Sequence, residues 1–279
     1  IGVNQNTNMI YVANSNDNTI SVINGTTNSV QNIIPIGNSP NGIGVDLNTN
    51  MIYVTNFGNM VLVIDGATNS VQGTIPVGNL PNGIGVNQNT NMIYVANSND
   101  NTISVIDGTT NLVQNTIFVG KVPFAVGVNP NTYKIYVGNA VNNTISVING
   151  ITNSVQSTLS VNNPWDIGVD SNTNTIYVTD NAGHTVSVID GSPIQSPILE
   201  TRDIINIINN MTLTHGTTNS LDSKLDTAIS YLNANDNPNA KSVLQSFLNE
   251  VNAQTGKKIT TDQANQLVTA AQNVIKSIP

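Results

Sequence analysis

The stretch Ile52-Tyr53-Val54-Thr55-Asn56 decides the fold, because near-copies of it stand at residues 10–14, 93–97, 135–139 and 176–180. Their tyrosines, Tyr11, Tyr53, Tyr94, Tyr136 and Tyr177, lie 42, 41, 42 and 41 residues apart. A fixed period of that size marks an array of like units, none of which can bury its apolar faces alone. Each unit holds short apolar runs. In the unit from Ile84 these are residues 84–86, 92–96, 102–106 and 112–119. Ile103 and Val105 alternate with polar neighbours, and β-branched residues dominate, as a pleated strand favours. Asn-rich turns separate the runs. Asn24-Gly25, Asp65-Gly66, Asp107-Gly108, Asn149-Gly150 and Asp190-Gly191 predict type I′ turns, whose two central residues need positive φ.

Four antiparallel strands per unit predict an all-β propeller, in which radial stacking covers both faces of each blade. Starts at Ile1, Ile43, Ile84, Val126 and Ile167 give four complete units and a fifth with three strands. Tyr53-Val54-Thr55-Asn56 resembles the signature of YVTN-type β-propeller repeats. The flanks agree, with Pro81-Asn82-Gly83-Ile84-Gly85-Val86 before the signature strand and Asn101–Gly108 after it, across residues 1–191. The resemblance implies a propeller, commonly of seven blades, often in secreted or surface-layer proteins of archaea and bacteria. The chain starts at Ile1, without Met, inside a unit. The expectation is therefore about five blades out of six or seven, with the others, and any export signal, upstream. An open or distorted five-bladed arrangement is the alternative.

Residues 192–198 read as a linker that Pro193 and Pro197 bias towards extended backbone. From Leu199 the apolar period becomes helical. Leu199, Ile204, Ile205, Ile207, Ile208 and Met211 mark a first helix, and Leu221, Leu225, Ala228, Ile229 and Leu232 a second. Asn237 is a candidate N-cap before Pro238, Gly256 ends the third helix, and Thr260 with Gln263 reads as a capping box for the fourth. Residues 199–279 thus predict a small all-α four-helix bundle. Leu221, Leu225 and Ala228, then Ala240, Leu244, Phe247 and Val251, then Gly256, Ile259, Thr260 and Ala264 resemble FIMAH-type helical domains. That resemblance implies a non-catalytic extracellular accessory module, often on carbohydrate-related proteins.

Polarity comes from amides rather than charges: 50 residues are Asn and only 9% are charged. The net charge is −8, with 8 Lys and Arg against 16 Asp and Glu. Only Lys121 and Lys134 are cationic in residues 1–191, which argues against nucleic acid as a partner. No apolar run reaches the ~20 residues of a membrane helix. With no cysteine, thiolate nucleophiles, thiolate metal sites and disulfides are excluded. Sparse lysine and Asn-rich loops point to an extracellular or cell-surface location.

The blades contain no glutamate, and Asp65, Asp107 and Asp190 are turn residues preceding glycine. His184 and His215 have no ligand partner at the spacing a metal site needs. We therefore expect no catalytic set, no cofactor and no metal. Residues 14–18, 97–101 and 139–143 alternate oxygen ligands but lack the spaced Asp and terminal Glu of a calcium loop, so turn chemistry is their expected role. Asn14, Asn56, Asn97, Asn139 and Asp180, which close the signature strands, are expected to bond to local backbone.

One position varies informatively. After the proline of each inter-blade loop stand Asn41, Asn82, Phe124 and Trp165. Propeller geometry gathers these at the mouth of the central channel, with the loop carrying Phe57 on the same face. An aromatic beside amides can stack on a sugar or hold a peptide, or it can simply cap the core between blades. Asn24, Asn142 and Asn210 open glycosylation acceptor patterns. The leading expectation is a non-enzymatic secreted or cell-surface propeller that binds protein or glycan through its top face. The alternatives are a structural surface-layer repeat with self-association, and part of an enzyme whose catalytic residues lie in upstream sequence.

Overall fold

The computed structural model describes residues 1–191 and 197–278. They divide into two compact units, Ile1–Gly191 and Ser192–Pro279. In the first, five antiparallel blades stand in a propeller ring. Blades 1 to 4 (residues 2–35, 40–76, 81–118 and 123–160) have four strands in sequence order, and blade 5 (residues 164–190) has three. This is the strand count that the repeat predicts.

Each blade turns one face to the blade before it and the other to the blade after it. We call these the leading and trailing faces. The period-2 alternation of a strand sends neighbouring side chains to opposite faces. In the signature strand Met51–Asn56, Tyr53 points to blade 3 while Ile52 and Val54 point to blade 1. A separate apolar cluster therefore fills each of the four joints. Between blades 2 and 3 it comprises Tyr53, Val61, Val63 and Ile75 against Ile93, Val95 and Ile106, all buried. The first strands line the axis, where the backbones run so close that a Cβ on Gly42 would collide with Asn82 O. Glycine is used there because it lets two chains approach.

The Asn-Gly and Asp-Gly pairs are not type I′ turns, correcting the expectation. Gly25, Gly66 and Gly108 do not have positive φ. The strand pair turns through four residues, with the left-handed position at its end, as at Asn69 (φ 53°), whose N–H donates to Asp65 O at 2.8 Å. Glycine follows Asp65 for another reason: Gly66 N donates to Asn50 O at 2.9 Å, and a Cβ would lie 2.5 Å from the Asn50 side chain. Asn also holds the left-handed positions 8, 18, 28, 50, 59, 91 and 101, because its short amide tolerates positive φ. Most of the asparagine content of the blades sits at such turns.

In the second unit, α1 (Pro197–Asn210), α2 (His215–Asn233), α3 (Asn237–Gln254) and α4 (Thr261–Ser277) follow in order. Each packs on the next, and α1 on α4. Ile204, Ile208, Leu225, Leu244, Phe247 and Leu267 are buried at the centre. Two expectations shift. Pro197 and Ile198 open α1 rather than belonging to a linker, because Pro fits the first helical turn, where its missing N–H costs nothing. Residues 192–196, Pro193 included, and the Leu199 side chain lie outside the described residues. The N-cap of α3 is Asp236, not Asn237: its carboxylate accepts from Asn239 N at 3.3 Å. Gly256 does follow α3 with φ 75°, and the Thr260–Gln263 capping box is present.

Candidate functional site

The axial strands deliver the four variable residues to one place. Each first strand begins at the proline that ends an inter-blade loop, so the following residue projects at the same height in blades 2 to 5. Asn41, Asn82, Phe124 and Trp165 line a single cleft of about 310 Å³, together with the Ile1 end of blade 1. The rings of Phe124 and Trp165 stack, with centroids 4.2 Å apart and planes 29° from parallel. Phe124 is half-buried against its neighbours, while Trp165 remains 45% exposed. Stacking of this kind favours one orientation of the indole while leaving surface for a ligand.

The amides divide into wall and rim. Asn82 is buried; its Oδ1 accepts from Asn41 Nδ2 and its Nδ2 donates to Ser98 Oγ. Ser98 Oγ in turn donates to Pro123 O, where blade 4 begins. Asn82 is thus held inside the protein by both ends of its amide. Asn41 stands half-exposed beside it. Phe57 lies at the same end of the blades, where its N–H donates to Asn38 O at 3.1 Å, but it is exposed outside the lining of the cleft.

Sequence reasoning missed Asp166. It lines the cleft and is exposed beside Trp165, so the rim carries a carboxylate as well as amides. Its Oδ1 also accepts from Ile167 N at 2.9 Å. The signal was present in the sequence: blades 2 and 3 read Asn-Gly at this point, blade 4 Phe-Ala and blade 5 Trp-Asp. Both positions depart from the repeat in the same blades.

The residues closing the signature strands behave in two ways. Asn56 Oδ1 accepts from Gly58 N at 3.0 Å, and Asp180 Oδ1 from Ala182 N and Gly183 N, as expected. Those bonds, with one from Asn162, hold the Asp180 carboxyl below its usual range despite partial desolvation. Asn14, Asn97 and Asn139 instead donate across the hairpin to paired hydroxyls, Asn97 to Thr102 and Ser104 at 3.0 and 2.9 Å. The following strand explains the split. It begins Thr-x-Ser in blades 1, 3 and 4, but Met60-Val61-Leu62 in blade 2, while in blade 5 a carboxylate has no proton to donate.

Among the described residues no three or more His, Asp or Glu side chains cluster as a metal ion would need. No described helix is long and apolar enough to cross a membrane. Of the acceptor asparagines, Asn142 and Asn210 are exposed, and Asn24 is half-buried with its Oδ1 accepting from Thr26 N and Thr27 N.

Comparison with known proteins agrees with this architecture. Residues 161–189, in blade 5, match the NHL repeat model, and residues 205–276 match the FIMAH domain model. No curated protein matches the sequence. Matching solved structures number 1367 chains, too many for the fold to single out an activity. One is the Kuenenia stuttgartiensis hydrazine synthase, 17% identical with a TM-score of 0.54, over 66% of this chain and 63% of that one. The chain therefore spans less than two thirds of that protein's length. Another is a functionally unknown protein from Desulfotomaculum acetoxidans DSM 771, 16% identical with a TM-score of 0.59, over 67% of each chain. Such identities speak for fold alone. This chain is a β-propeller repeat protein with a FIMAH domain at its C-terminal side.

Proposed function

We propose that the propeller is a non-enzymatic binding module at the cell surface or outside the cell. It holds a glycan, or a segment of a surface protein, at the channel mouth, and the FIMAH domain serves as its accessory or attachment unit. The observation that carries this reading is the Trp165 indole, stacked on Phe124 and left half-open over a cleft edged by Asn41 and Asp166. A flat apolar surface ringed by hydrogen-bonding groups matches the alternation of C–H faces and hydroxyls on a sugar. The net negative charge of the blades weighs against a polyanionic ligand.

Trp165 is the only tryptophan, so intrinsic fluorescence reports on the site directly. Screening the protein on an array of glycans and surface proteins, then titrating the hits by fluorescence, tests the reading. Trp165→Ala should abolish binding while thermal unfolding stays nearly where it was. A large fall in melting temperature instead would make the indole a cover for the core. Turnover of any bound substrate would overturn the non-enzymatic assignment.

A further inference from the structure

Three stretches carry the acceptor pattern for an N-linked glycan, an asparagine with a hydroxyl two residues on: Asn24-Gly25-Thr26, Asn142-Asn143-Thr144 and Asn210-Met211-Thr212. The pattern treats them alike, but the fold does not. An enzyme that joins a sugar to the amide must grip the carboxamide and the hydroxyl together. Both groups have to be free, and the backbone between them has to yield.

Two of the three are locked into blades. Asn24 is half-buried, and its Oδ1 accepts from Thr26 N at 2.8 Å and Thr27 N at 3.1 Å. Gly25 N donates to Asn8 O at 2.8 Å, and Thr26 Oγ1 accepts from Asn8 Nδ2 at 2.9 Å. The amide, the hydroxyl and the residue between them are therefore all engaged. Asn142 is exposed, but its Oδ1 accepts from Lys121 N at 2.6 Å. Thr144 opens the third strand of blade 4 (Thr144–Asn149), paired with Asn139 on one side and Ser160 on the other. Its Oγ1 accepts from Asn139 Nδ2 at 3.2 Å. Asn210 differs. It is the last residue of α1, Thr212 lies in the coil before α2, and both are exposed. Among the described residues neither side chain has a hydrogen-bond partner. The backbone bonds there are local, Met211 N to Ile208 O at 3.0 Å and Leu213 N to Met211 O at 2.9 Å. The end of a helix lacks onward backbone partners and opens most easily.

We propose that Asn210 is the glycan acceptor of the folded protein, in the turn between the first two helices of the FIMAH domain, and that the acceptor patterns of the blades stay bare. The donor is a lipid-linked oligosaccharide pyrophosphate. Asn210 Nδ2 attacks the anomeric carbon of its first sugar. The carbon–oxygen bond to the pyrophosphate breaks, a carbon–nitrogen bond forms, the amide gives up one proton, and the lipid pyrophosphate leaves. The Thr212 hydroxyl is the positioning group that the enzyme reads. The proposal rests on the extracellular placement given above, since exported chains meet such donors, and not on the Trp165 cleft.

The test uses the purified, folded 279-residue chain with a lipid-linked donor and an oligosaccharyltransferase that modifies synthetic peptides of all three stretches. Intact mass and peptide mapping read the product. The folded chain should gain its glycan on Asn210 at least about tenfold faster than on Asn24 or Asn142, because freeing either blade site first breaks several hydrogen bonds. Asn210→Gln and Thr212→Ala should each abolish that product, and Thr212→Ser should retain it; circular dichroism checks that each variant keeps its fold. Modification of Asn24 or Asn142 as fast as Asn210, or a folded chain left bare while the peptides react, would overturn the proposal. Purified components make this outcome independent of where the protein resides. A failure of the extracellular reading shows separately, as retention in the cytoplasm when cells are fractionated.

Discussion

Tyr94 of blade 3 donates its hydroxyl proton to Gly150 O of blade 4 at 3.2 Å, inside an apolar joint. The signature tyrosine thus does two things. Its ring fills the space between blades, and its hydroxyl ties that joint to the far turn of the neighbour. Tyr53 does the same in the preceding joint, reaching Asn111 Oδ1 at 3.2 Å and Gly108 O at 3.4 Å.

Not every copy makes the bond. Tyr11 has the same buried ring, yet its hydroxyl lacks a protein partner. Tyr94→Phe should cost about 1 kcal/mol, the net worth of one buried hydrogen bond, and Tyr11→Phe less than about half of that. Urea unfolding of both variants checks the contrast, and equal losses would deny the bond its role.

Burial, with the charges of Asp46 and Asp107, pushes the Tyr53 phenol up from 10.0 to about 12, and burial with Asp190 does the same to Tyr136. The folded state holds these protons more tightly than the unfolded chain does. The stability they contribute is complete below pH 10 and disappears as pH rises from 10 towards 12. Phenolate absorbance should show these tyrosines ionising together with loss of β-sheet circular dichroism. Full ionisation near pH 10 in a still-folded protein would contradict the expectation.

Asp46 is fully buried between blades 2 and 3, where it accepts from Asn48 N at 2.9 Å and from Thr49 Oγ1 at 2.5 Å, and the Asn91 amide, turned so that both of its ends are satisfied, donates to it at 2.9 Å. Asp46→Ala leaves these donors in the joint without an acceptor. The expected loss is about 2–3 kcal/mol. Asp46→Asn should recover most of it, because blades 1, 3 and 4 place Asn at that position. Thermal unfolding of the pair distinguishes a hydrogen-bonding role from mere space-filling.

In the FIMAH domain, Thr260 accepts from Gln263 N at 3.3 Å and Gln263 Oε1 accepts from Thr260 N at 3.0 Å. Thr260→Ala removes one arm of this box and should lower stability by about 1 kcal/mol. Amide exchange in the first turn of α4 should rise before that of Leu267 and Ala271, which are buried further along the helix. Unchanged exchange would show that packing alone holds that end.

The sequence by itself determined the five blades of residues 1–191 and their strand order, together with the four helices. These rest on short-range periodicities, and a repeat multiplies the signal until one strand's ambiguity no longer matters. It also placed Asn41, Asn82, Phe124 and Trp165 in one ring, because equivalent positions in equivalent units must share a height about the axis. What it misjudged were local conformations set by neighbours. The glycine after Asp65 is required by Asn50, which lies in another hairpin, so no reading of the turn alone could find the cause. Only the tertiary structure decided that Asn82 is locked into the wall while Trp165 stays open, and that Tyr177 lies bare where four identical tyrosines are covered. Burial belongs to pairs of surfaces, and identical residues differ in it as soon as one of them lacks a neighbour.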